Sequence, residues 1–238
     1  MDFYNILLYK PLFNALIFIY NYIPGKDFGL AIITLTVAIK FLLVPLSIKV
    51  VNSQRKLQEI QPKLKEIQEK YKDNKEVQAQ KLLEIYKTEK INPFGGLFVT
   101  LIQLPILIAL YSVFSHGLQL DQLSNLYNFV ANPGQITSSF LGIIDLSKPN
   151  IIFAAVAGFV QFLQTKTLLP KSTPSNGKEE QFMKMMNMQM TYIMPIMTFF
   201  ILFALPSALG LYWIVSGIFS TIQQYFILKT KNQNNGTK

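Results

Sequence analysis

The sequence predicts an all-α membrane protein with five transmembrane helices around a polar groove and a cytoplasmic antiparallel helical hairpin. Three observations carry that expectation. Half of the 238 residues are hydrophobic, only 15% are charged, and the mean hydropathy is +0.30, against about 25% charged residues in an ordinary soluble domain. The apolar residues arrive in blocks of about twenty, enough to cross a hydrocarbon core about 30 Å thick. The 22 Lys and Arg outnumber the 13 Asp and Glu, for a net charge of +9, and they are divided unequally among the segments that separate those blocks.

Residues 1–27 contain an apolar run, Leu12 to Ile23, that is too short to cross, with Pro11 as a helix start. Without a cationic leader region or a small-residue cleavage site, it reads as an external helix lying in the interface rather than a signal peptide. Residues 28–50 hold the first span, Phe28 to Ile48. Residues 51–91 form the hairpin. Leu57, Ile60, Leu64, Ile67 and Tyr71 follow spacings of 3, 4, 3 and 4, which is a coiled-coil seam. Asp73-Asn74 then offers a break and an N-cap before a second stripe of Val77, Leu82, Leu83 and Tyr86.

Residues 92–228 hold the other spans, Phe94 to Phe114, Ile151 to Leu169, Met188 to Leu205 and Ala208 to Leu228, and residues 229–238 are a short basic tail. The last two spans form one apolar stretch. It divides at Leu205-Pro206-Ser207-Ala208, where proline and small residues permit a tight reversal. Seven of the eight methionines lie between Met183 and Met197, and Met183, Met186, Met190, Met194 and Met197 share a helical face. That stripe suits either helix packing or a surface that meets many apolar sequences.

Charge sets the sides. Eleven cations, from Lys49 to Lys90, separate the first two spans. Lys166, Lys171, Lys178 and Lys184 lie between the third and fourth, and Lys229, Lys231 and Lys238 follow the fifth. The opposite side holds Lys10, Lys26 and Lys148. The positive-inside rule therefore places the N-terminus outside and the C-terminus in the cytoplasm, and it assigns the basic excess to topology and anionic lipid rather than to specific nucleic acid. The basic hairpin reads equally as a docking arm for a ribosome or translocation partner and as a solvated, charged hairpin.

Lys40 is residue 13 of the 21 in the first span, close to mid-bilayer. A charge there costs about 2.5–3.5 kcal/mol on insertion scales, so it should face a watery or protein-lined cavity; the bland alternative is a lysine snorkelling to the headgroups. Thr36 and Ser47 share its helical face. Thr100 and Gln103 in the second span, Gln161 and Gln164 in the third, and Tyr212, Ser216, Ser220 and Gln223 along one side of the fifth continue the theme. Singly, such residues are interhelical glue; together they suggest a hydrated groove. None of the five spans contains Asp or Glu, so Lys40 has no fixed counter-charge within them.

Several function classes drop out. Zero cysteines exclude disulfides, thiolate metal sites and a cysteine nucleophile. The one histidine, His116, lies at the outer end of the second span, away from Lys40, which argues against a lipid-modifying enzyme. No cofactor, no metal and no catalysis are expected. A small-solute transporter or channel is the alternative use of a polar groove, and the missing carboxylates and the absence of an evident inverted repeat disfavour it.

Three motifs carry a resemblance: Gln61-Pro62-Lys63-Leu64-Lys65-Glu66-Ile67, Ile91-Asn92-Pro93-Phe94-Gly95-Gly96, and Gln103-Leu104-Pro105-Ile106-Leu107 through Tyr111. Met194-Pro195, Leu205-Pro206-Ser207-Ala208-Leu209-Gly210-Leu211-Tyr212-Trp213 and Gln223-Gln224 extend it. These resemble the YidC/Oxa family of membrane protein insertases over about Phe28 to Leu228, in its minimal form. The resemblance implies a bacterial inner or plasma membrane protein that accepts hydrophilic segments of nascent membrane proteins in a groove open to cytoplasm and lipid, with or without the Sec translocon. It implies no nucleotide or metal. Lys40 falls where the family carries a groove arginine, which keeps the charge and loses the bidentate fork. The expected substrate groove thus comprises Lys40, Thr36, Ser47, Gln103, Gln161, Gln164, Tyr212, Trp213, Ser216, Ser220 and Gln223. With so short a tail, ribosome contact is expected of the hairpin.

Overall fold

Helices begin in this protein where a proline or a capping carboxylate or amide lets them. The computed structural model describes residues 2–90, 95–116, 120–168, 185 and 187–235, and two compact units divide it: residues 1–42 with 105–238, and residues 43–104.

In the first unit, helix α1 spans Lys10–Tyr22, with Pro11 in its first turn. Phe13, Leu16, Ile17 and Tyr20 on one face are each 1% exposed or less. Asn14 sits among them and is fully used: its amide donates to the Lys10 carbonyl at 2.8 Å and the Asn125 carbonyl at 3.1 Å, and its oxygen accepts the Tyr127 N–H. Tyr9 donates to Gln122 Oε1, and the Tyr20 hydroxyl accepts the Thr137 N–H. The N-terminal helix is therefore a core element stitched to the 120–137 segment, while Phe3, Ile6 and Tyr22 stay exposed.

Helix α2, Phe28–Glu59, contributes residues to both units. Asp27 caps it: Oδ1 accepts the Leu30 N–H at 2.8 Å, satisfying one of the orphan donors of a helix start, a contact worth about 1 kcal/mol. The other carboxylate oxygen of Asp27 accepts the N–H of Leu141, in the turn of a short hairpin that joins strands β1 (Ser139–Phe140) and β2 (Ile144–Asp145). Leu141 and Gly142 both have positive φ, +52° and +68°, and Ile143 N–H closes the turn on the Phe140 carbonyl at 3.1 Å. For leucine this conformation costs about 1–2 kcal/mol. The Phe140 ring fills the space over Gly29, where a Cβ would come within 2.1 Å of it.

Helix α2 is the one helix among the described residues long and apolar enough to cross a membrane; shorter apolar stretches cover 103–115, 151–167 and 189–203. The α2 helix runs through Pro45 well past the expected end of the first span at Ile48.

In the second unit, α3 (Gln61–Lys70) and α4 (Lys75–Thr88) pair antiparallel. The Gln78 amide donates to the Gln68 carbonyl at one end, and Lys63 meets Glu89 at 3.0 Å at the other. Pro62, which lacks an N–H, lies in the first turn of α3, so a helix boundary falls at Ile60 within the expected seam. Asn74 caps α4 by accepting the Val77 N–H. Ile60 and Leu64 are buried against Leu57, Leu82, Ile85 and Tyr86, whereas Leu83, expected in the stripe, is exposed because the buried face turns through Ile85 instead.

Back in the first unit, helices α5 (Gly95–His116), α6 (Ile151–Leu168), α7 (Met194–Phe203) and α8 (Ser207–Asn235) complete the architecture; residues 95–104 of α5 belong to the second unit. The α7–α8 reversal is held from outside α8: Ser207 and Ala208 N–H groups donate to the carbonyls of Lys148 and Leu146. Two glycines let α8 lie close on α6. A Cβ on Gly217 would come within 2.5 Å of Val160 Cγ1, and one on Gly210 within 3.0 Å of Phe153 Cβ. Of the methionine stripe, Met190, Met194 and Met197 are exposed; Met183 and Met186 lie outside the described residues.

Candidate functional site

The polar residues of α2 divide by what their side chains can reach. A threonine or serine inside a helix can return its hydroxyl to the carbonyl one turn back, and both do so here. Thr36, 2% exposed, donates to the Ile32 carbonyl at 2.6 Å, and Ser47 donates to the Leu43 carbonyl at 2.9 Å. Neither is left seeking a partner. Lys40 is longer and has no such option. Half-buried, it crosses to α8 and donates from Nζ to Ser220 Oγ at 3.1 Å. Next to this contact the Phe41 and Phe219 rings meet edge to face, 5.1 Å apart. Among the described residues, Lys40 has no carboxylate partner.

Two turns earlier on α8, the indole N–H of Trp213 donates to Gln161 Oε1 of α6 at 3.1 Å. Gln164 lies one turn further along α6, with its Oε1 3.6 Å from the position a Cβ would take on Gly217. The third and fifth predicted spans therefore meet through polar groups as well as glycine contacts. Tyr212 is 2% exposed and belongs to the apolar core, while Ser216 is half-buried between Tyr212 and Ser220 along α8.

The structure thus joins Lys40 to Ser220 and Trp213 to Gln161, and places Gln164 beside Gly217. Ser47 and Gln103 lie in the second unit. Past Ser220 on α8, Gln223 Nε2 and Gln224 Oε1 are buried without a hydrogen-bond partner among the described residues. Gln224 is only 8% exposed and was not among the expected groove residues. Its signal was present in the spacing, since 216, 220 and 224 repeat at four residues.

A cationic head held by one neutral hydroxyl, together with two unsatisfied amides farther along the same helix, is a site with spare hydrogen-bonding capacity in apolar surroundings. An ammonium has three N–H donors, and Ser220 takes one. Groups of this kind suit a charged or hydrated ligand that arrives and leaves. Among the described residues no group of His, Asp or Glu is arranged to hold a metal ion.

Comparison with known proteins supplies a second line. A family profile described as 60Kd inner membrane protein matches residues 18–235, a longer stretch than the motifs alone covered. The protein named Membrane protein insertase YidC from Fusobacterium nucleatum subsp. nucleatum is 34% identical over 203 residues, which is 85% of this chain and 87% of that protein. Proteins of the same name from Hahella chejuensis and Nitratidesulfovibrio vulgaris (strain DP4) are 37% and 30% identical over 97% and 92% of this chain. The chain spans only 36% and 38% of the length of those two relatives.

Proposed function

Because the chain belongs to the 60Kd inner membrane protein family, we propose that it is a membrane protein insertase and chaperone, accepting hydrophilic segments of nascent membrane proteins beside Lys40 while their apolar segments pass into lipid. The bacterial inner membrane is the location that its similarity to the insertases supports. The observation that carries the mechanism is the Lys40–Ser220 contact. A lysine in an apolar helix is tolerated where it faces water or protein, and its partner here is a neutral hydroxyl. A client carboxylate can replace Ser220 on the ammonium and turn a hydrogen bond charged at one end into one charged at both, and a hydrated loop can take the N–H donors that Ser220 leaves open. No bond is made or broken in the client.

In this reading the chain crosses the membrane five times, with α2, α5, α6, the 188–205 segment and α8 as the spans. Charge asymmetry supports an external N-terminus and a cytoplasmic C-terminus. The α3–α4 hairpin then faces the cytoplasm. Its seam is satisfied internally, and its exposed cations, such as Lys70, Lys72 and Lys87, are available to a ribosome or to the Sec translocon. Unspecific attraction to anionic lipid accompanies that role.

Reconstitution into liposomes with one short client tests the proposal. Protease protection of the client's translocated tail is the expected result. Flux of a small solute without client insertion would establish the transporter alternative instead.

A further inference from the structure

The turn at Leu141-Gly142 is built against the usual rule for turns in water. β-Turns with positive φ at both central positions take Asn-Gly or Asp-Gly, because those residues tolerate the left-handed region and their short polar side chains are at home in solvent. Gly142 fits. Leu141 gains nothing from its side chain at φ +52°, yet it is 60% exposed, and Ile143 next to it is 84% exposed. Both are apolar side chains presented outward by a turn that disfavours one of them.

The location of the turn is fixed by the helix ends around it. Asp27 accepts both the Leu30 N–H of α2 and the Leu141 N–H of the turn. Phe140 covers Gly29 of α2 and meets Phe153 of α6 edge to face, with centroids 6.4 Å apart. The tip therefore sits at the level where α2 and α6 begin. Apolar side chains are exposed on both helices at that level, Leu30 on α2 and Ile151 and Ile152 on α6, so the tip continues their outer surface. The nearby cations are Lys26, immediately before Asp27, and Lys148, paired at 3.1 Å with Asp145 at the base of the hairpin.

We propose that this hairpin is a lipid anchor: Leu141 and Ile143 lie in the boundary between headgroups and acyl chains of the outer leaflet, with Lys26 and Lys148 toward lipid phosphates. The inference rests on the reading of α2 and α6 as membrane spans. An apolar tip joined rigidly to two helix entrances holds those entrances at a fixed depth, and basic side chains beside it match the negative headgroup layer.

The chain has no cysteine, so single labels report cleanly. Ile143→Cys, and as a reference Phe159→Cys on the exposed face of α6, are labelled with a nitrobenzoxadiazole dye and reconstituted in phosphatidylethanolamine–phosphatidylglycerol vesicles. Lipids carrying a nitroxide near the headgroup should quench the Ile143 label at least twofold more than aqueous iodide does, and lipids carrying it deep in the acyl chain should quench the Phe159 label. Adding Leu141→Asn, which suits the turn conformation and preserves the fold, should reduce that lipid quenching by about half. Iodide quenching at Ile143 with lipid quenching at Phe159 overturns the anchor and leaves the spans standing. Absence of lipid quenching at both overturns the spans as well. Self-quenching at Ile143 that rises with protein density shows a second copy on the tip, and also overturns the anchor.

Discussion

Lys40 and Ser220, 180 residues apart in sequence, meet through a single 3.1 Å hydrogen bond. Its two ends are not equivalent. Removing the hydroxyl leaves an ammonium that water or client can satisfy, whereas removing the ammonium leaves no charge at all. Ser220→Ala should therefore insert clients at close to the normal rate, and Lys40→Arg should be tolerated. Lys40→Ala should slow clients with acidic translocated tails about tenfold, equivalent to ~1.4 kcal/mol, and neutral-tailed clients less. Equal rates for the two client types in the alanine variant would reduce Lys40 to a hydrated structural residue; failure of Lys40→Glu alone would make repulsion the operative effect.

Trp213 is the one tryptophan of the chain, so its emission reports on the α6–α8 contact without engineering. Gln161→Leu removes the acceptor of the indole N–H, and an unsatisfied buried donor costs about 1–3 kcal/mol. We expect a blue-shifted emission and a lower thermal midpoint in detergent, with Gln161→Glu retaining an acceptor and staying near the parent. Unchanged emission in Gln161→Leu would mark the contact as incidental.

Much of this arrangement was legible in the sequence, for identifiable reasons. The stripe through Ile60 and Leu64 and the Asn74 cap obey local rules of periodicity and side-chain reach, and the reversal after Leu205 follows from proline. The polar face through Lys40 could be drawn as a helical face, but which of its hydroxyls turn back to their own backbone is decided by rotamers, which spacing does not determine. The role of α1 was harder to read. Its apolar run gave no sign of the partners that satisfy Asn14 and Tyr20, which come from a segment more than 100 residues away.

The topology is open to direct labelling. Lys26→Cys should react with an impermeant thiol reagent on intact cells, and Lys87→Cys and Lys90→Cys only after permeabilisation. A reversed pattern would overturn the orientation derived from charge.

Asp145 gives a pH dependence outside the spans. Hydrogen bonds from the Ser147 hydroxyl above all, then from Lys148, the Ser147 N–H and Ser138, hold its carboxyl well below the usual carboxylate range. A depressed folded value means that the contribution is complete above the unfolded value, about 3.9, and fades only as pH falls below it toward the folded one. The site is partly exposed, so the effect is on the order of 0.5 kcal/mol. The gap in thermal midpoint between the parent and Asp145→Asn should stay constant from neutral pH to about 5 and close below 4. A gap that closes nearer neutrality would contradict this.

The glycine contacts of α8 give the molecule a stiff side and a compliant side. Where Gly217 and Gly210 press against Val160 and Phe153, the α8 side of the contact is bare backbone, so bringing α6 and α8 to a new spacing requires moving backbone. Where α2 meets α8, the contacts are a lysine reaching a serine and two aromatic edges, and these yield by rotamer changes alone. Any widening that admits a client should then fall along α2 and α8. Bridging Phe41→Cys to Phe219→Cys with a short thiol cross-linker should arrest insertion, while bridging Val160→Cys to Thr221→Cys should leave it running.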